Sequence, residues 1–119
     1  MTFKDIVDII EGFGLPYTYY QWEAGTAQEL PFIVYYYTGS DDVGADDVNY
    51  AKVRDLVIEL YTEVKDFELE ERIEDALTAA DLFYAKEETH IDSEQMYEVL
   101  YSMQIVITKK TKQEENTNG

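Results

Sequence analysis

A chain of 119 residues supports one domain around one modest core, and an apolar content of 45% is that of a globular protein and not of a disordered one. Nine basic against 26 acidic side chains give a net charge of −17, which repels nucleic acid and anionic lipid. The absence of cysteine excludes disulfides, thiolate chemistry and cysteine-held zinc, and it fits a reducing compartment.

Thr2 caps a first predicted helix over about 3–12, with Asp5 in capping-box position. Its apolar stripe is Phe3, Ile6, Val7, Ile10 and Phe13, and Gly12, Gly14 and Pro16 end it. Two aromatic runs follow, 16–23 and 31–38, each opened by a proline. They hold Tyr17, Tyr19, Tyr20 and Trp22, then Phe32, Tyr35, Tyr36 and Tyr37, and read as neighbouring strands over about 17–23 and 31–38. That is more tyrosine than a core of this size needs. The ring has an apolar body and a polar tip, so it serves equally as a core lid and as a surface that a partner buries.

A loop over 39–47 carries Asp41, Asp42, Asp46 and Asp47. A long strand over about 50–64 comes next, with Leu56, Ile58, Leu60 and Val64 on one face. The other face mixes Asp55, Glu59 and Glu63 with Val57 and Tyr61, a composition that fits partial cover by another subunit. Asp66 is the expected cap of a second helix with Glu68, Glu70 and Glu71 in its first turns and a stripe of Leu69, Ile73, Ala76, Leu77 and Ala80. A strand over about 83–91 and a turn over 92–95 lead to the most regular strand, in which Tyr97, Val99, Tyr101, Met103, Ile105 and Ile107 alternate with more polar positions. The order predicts an α+β fold: a mostly antiparallel five-stranded sheet with two main helices packed on one face, spanning 1–108 as a single domain. The segment 109–119, with Lys109, Lys110 and Lys112, is polar throughout and reads as a flexible tail or an arm that orders on an acidic neighbour.

Catalytic signals are few. The only histidine, His90, has no nucleophile motif around it, and Gly12-Phe13-Gly14 precedes a strand where a phosphate loop should open a helix. An EF-hand needs oxygen ligands at its first, third and fifth positions and a glutamate at the twelfth. Counted from Asp41 these fall on Val43, Ala45 and Lys52, and counted from Asp42 on Gly44, Asp46 and Val53, so both frames fail. The expectation is a non-enzymatic protein without metal or cofactor. Met1 to Gly14 hold one lysine and no uninterrupted apolar core, which predicts no signal peptide, and no run of about 18 apolar residues predicts a membrane span.

The runs from Leu15-Pro16-Tyr17 through Trp22-Glu23, Leu30-Pro31-Phe32-Ile33-Val34-Tyr35, Leu56 to Thr62 and Tyr97-Glu98-Val99-Leu100-Tyr101 resemble the tail-terminator (tail-completion) proteins of long-tailed phages and prophages of Gram-positive bacteria. The resemblance covers most of 3–107 and rests on strand patterns. It implies a hexameric ring of identical subunits on the end of the tail tube. Such a ring stops tube growth, contacts the tail-tube protein and a head-completion (stopper) protein, and leaves a channel through which DNA passes unbound. Its place would be the tail or neck of a virion assembled in the host cytoplasm. On that reading Trp22, Tyr35, Tyr37 and Tyr61 are candidate interface residues, and Lys109, Lys110 and Lys112 dock on an acidic neighbour. Asp41, Asp42, Asp46 and Asp47 face the lumen or the tube. Two other readings share the composition: a head-completion connector, and an acidic inhibitor that mimics DNA.

Overall fold

The computed structural model describes residues 1–40 and 51–108, and within them the chain forms helix α1 (Phe3–Glu11), strands β1 (Tyr17–Tyr19), β2 (Phe32–Ser40) and β3 (Ala51–Thr62), helix α2 (Phe67–Ala79), and strands β4 (Ala85–Ile91) and β5 (Met96–Thr108). The five strands make one sheet in the order β1-β2-β3-β5-β4. Every pair is antiparallel except β1 with β2, which is parallel. The fold is therefore α+β with a mixed, mostly antiparallel sheet. The loop aspartates and the C-terminal lysines lie outside the described residues.

Register fixes which side chains share a face. Ile33 pairs with Leu60 and Tyr35 with Ile58, while Leu60 opposes Val99, Ile58 opposes Tyr101 and Leu56 opposes Met103. One residue of slip would turn all of them to the other side. These residues meet Ile6 and Ile10 of α1 and Leu69, Ile73 and Leu77 of α2 in a single core, so both helices cover the same face. Each helix starts as its sequence predicts. Thr2 and Asp5 make a reciprocal capping box, with Thr2 Oγ1 accepting from Asp5 N at 3.1 Å and Asp5 Oδ2 accepting from Thr2 N at 2.7 Å. Asp66 accepts from Leu69 N at 3.0 Å. Arg72 of α2 donates to the Phe13 carbonyl at 2.8 Å and ties the end of α1 to the second helix.

Several predicted boundaries move. β2 runs on through Gly39 and Ser40, expected in the loop, because both pair with β3 opposite Asp55 and Arg54. β1 stops at Tyr19, short of the expected 23, because Tyr20 takes a left-handed φ of 70° and turns the chain out of the sheet. Val64 lies beyond the end of β3 and is exposed, since Thr62 is the last residue with a partner on β5. Phe83 likewise precedes β4 and stands in solvent.

Candidate interaction face

Among the described residues no helix covers the second face of the sheet. Phe32, Val34 and Tyr36 point there from β2, with Val57, Glu59 and Tyr61 from β3 and Glu98, Leu100 and Ser102 from β5. The register brings them side by side: Phe32 opposes Tyr61 and Val34 opposes Glu59, while Glu59 opposes Leu100 and Tyr61 opposes Glu98. Past β1 the chain folds back over this face. Trp22 stands edge-on to Phe32 at 5.6 Å between ring centroids, Phe32 lies 5.3 Å from Tyr61, and Tyr20 meets Tyr36 edge-on at 5.8 Å. Under these rings Val34, Val57 and Glu59 are buried without help from a helix.

Glu59 is the unusual member, a carboxylate with 9% of its surface exposed. Tyr36 Oη donates to its Oε2 at 2.9 Å. Tyr61 Oη lies 2.9 Å from Glu59 Oε1 and 2.7 Å from Glu98 Oε2. A phenol has one proton, so Tyr61 cannot donate to both carboxylates at once. Burial raises the pKa of Glu59, the two tyrosine hydroxyls pull it down, and nearby Glu98 pushes it up, for a net rise. Burial, with the bond to Glu59, pushes the Tyr36 phenol up to about 12. Among the described residues no lysine or arginine forms an ion pair with Glu59 or Glu98. Beside this cluster Trp22 Nε1 is buried with no hydrogen-bond partner.

The helix-covered face spends its cations internally. Glu70, 2% exposed, receives Lys65 at 2.6 Å and Lys86 at 3.0 Å, and Lys86 reaches Glu74 at 2.7 Å. Tyr101, fully buried, donates to Glu74 at 2.8 Å, and Lys65 also pairs with Glu88. This network joins α2 to β4 and β5. His90 is exposed, with Nδ1 2.6 Å from Asp92 Oδ1 and its ring against Tyr97, and both line an open depression at the end of the sheet.

The four aromatic residues singled out in the sequence do not form one patch. Tyr35 is buried in the core and Tyr37 packs against it on the helix side, edge-on to Phe3 of α1 at 5.3 Å. Trp22 and Tyr61 occupy the helix-free face. Sequence reasoning noticed that β3 has a mixed face but missed Glu59 with Glu98 as a pair, because only the β3–β5 register brings them to one hydroxyl.

No family model matches the chain, and no curated protein matches it. Among solved structures the fold is similar to a chain of the virion of a native gene transfer agent (GTA) particle. The TM-score is 0.51, the identity is 15%, and the match covers 85% of this chain and 84% of that one. At this identity the likeness is one of fold.

Proposed function

We propose that the chain is a structural subunit of a phage-type virion, and specifically a tail terminator. Copies of it form a ring that caps the tail tube, ends tube growth and presents the head-joining surface. The observation that carries this reading is the fold similarity to a virion chain over most of both proteins. The strand motifs of the tail-terminator resemblance fall largely on strands of the sheet: 15–23 on β1 and the residues flanking it, 30–35 on the start of β2 and the residues before it, 56–62 on β3 and 97–101 on β5.

Two physical features support a ring. One sheet face carries aromatic side chains and, among the described residues, no covering helix, the composition of a surface that a partner buries. The charge of −17 per chain, repeated around a pore, makes a negative lumen along which DNA phosphates find no holding cation. Asp41, Asp42, Asp46 and Asp47 are proposed to face that lumen or the tube, and no catalytic or cofactor role is assigned.

Tube length tests the reading. Added to polymerising tail-tube protein, the chain is expected to give tubes of limited length, each with a ring at one end. Tubes that grow on unchanged, without a cap, would rule out a terminator. Rings that bind preformed tubes only through a stopper protein would place the chain on the head side of the neck.

A further inference from the structure

We propose that the chain pairs with a second copy of itself, edge to edge and antiparallel, through the last part of β5, with a two-fold axis at Val106. Such pairing goes beyond the ring reading and does not depend on it.

β5 outruns the strand beside it. β3 accompanies it to Thr108, but β4 begins at Ala85 opposite Ser102, so from Met103 onward β5 has no strand on its outer side. Alternation sets which backbone groups turn that way. Thr108 donates its N–H to the Met1 carbonyl at 3.1 Å, away from β3, so Gln104 and Val106 point outward with it. Among the described residues no backbone group meets the outward N–H and C=O of Gln104 and Val106. An open edge of this kind is a template for another strand.

Its composition invites pairing where the neighbouring edge resists it. β4 carries Lys86, Glu87, Glu88 and His90 and is exposed at six of its seven residues, a charged edge that strands avoid. On β5 no charged residue stands between Glu98 and Lys109. Val106 is exposed there, and Phe83, 89% exposed, stands two residues before the Ala85 that closes the open stretch. In a chain of charge −17 this neutral, apolar edge is where a second copy meets least repulsion.

The fitting occupant is the same edge of the second copy. On the opposite side of the sheet β1 has three residues, and its Tyr19 carbonyl already accepts from Gln21 N at 2.8 Å. Beyond it Tyr19 Oη receives the Tyr37 N–H at 3.3 Å, and a bulge interrupts β2 between Tyr37 and Gly39. A head-to-tail strand contact therefore finds no equal edge. Two β5 edges match. With Val106 opposite Val106 of the second copy, the central residues exchange both N–H···O bonds, and Gln104 faces Thr108 of the second copy on either side. Thr108 then trades its bond to Met1 for one to Gln104 of the second copy. Side chains agree with this register: Val106 meets its own kind, Gln104 meets a hydroxyl, and Ile105 lies beside Ile107 of the second copy. A contact between like edges closes after two copies and does not propagate.

The test is native mass of the full chain against protein concentration, without magnesium or tube protein, joined to amide hydrogen exchange. A two-copy species is expected, with the Gln104 and Val106 amides slowing as it forms and the Glu88 amide, on the outer edge of β4, unchanged. Val106→Pro removes the outward N–H and leaves the bonds from β5 to β3 in place. It is expected to weaken pairing by about tenfold or more, since both central bonds are lost, whereas Val106→Gln keeps the backbone and the pair. A single-copy mass at every concentration overturns the proposal. So does a pair whose Gln104 and Val106 amides keep exchanging, or one that survives Val106→Pro. Should the proline variant fail to fold, amide exchange in the unaltered chain decides alone. Tube capping is read separately, so failed pairing leaves the ring reading standing, and uncapped tubes leave the pair.

Discussion

Glu59 concentrates the cost of the exposed sheet face in one side chain. Its pKa is raised in the fold, so as pH climbs the unfolded chain gives up this proton first. Stability at this position is intact below the unfolded value and is lost as pH rises through the higher folded value. Replacing it with a neutral isostere removes that loss. The expected outcome is that Glu59→Gln gains stability relative to the unaltered chain between about pH 4 and about pH 8, read by urea denaturation at both. A stability difference independent of pH would mean that Glu59 is solvated. Glu74 behaves oppositely. Its own burial opposes ionisation, but Lys86 and the Tyr101 hydroxyl outweigh that and hold its pKa below the usual value. Its contribution is present above the unfolded value and fades as pH falls through the folded one. The two acids thus differ in sign because half-buried Glu74 has a cation, Lys86, and buried Glu59 has only hydroxyls and another acid.

Elements were legible where a local rule decides them. The capping box at Thr2, the Asp66 cap and the alternation of β5 all act within a few residues, and each appears as the residues predict. Thr2→Ala is expected to cost about 1 kcal/mol, read as a shift in denaturation midpoint with an unchanged slope. An unchanged midpoint would mean that docking, and not the cap, holds α1. What was not legible depends on distant partners. The end of β1 at Tyr19 depends on a left-handed Tyr20, a residue type that rarely takes that conformation, and its parallel pairing is set by its register against β2. The aromatic run 16–23 has the composition of a longer strand and gives no sign of the turn. Tyr35 and Tyr37 look like surface rings in sequence, yet alternation with Tyr36 places them in and against the core. The Glu59–Tyr61–Glu98 cluster joins residues 37 positions apart and exists only through register.

For the whole molecule the governing quantity is charge. Copies at −17 repel one another, so any ring must bury enough apolar and ring surface to overcome that repulsion. Screening weakens the repulsion between copies. Assembly is therefore expected to rise from low to moderate ionic strength, with divalent magnesium more effective than sodium at equal concentration. The measurement that tests the central claim most directly is the native mass of the full chain by light scattering, paired with negative-stain images, at low salt, with millimolar magnesium and with tail-tube protein added. The account predicts closed rings with an open centre, appearing with magnesium or on tube ends. A chain that stays monomeric in every condition, tube protein included, would contradict it.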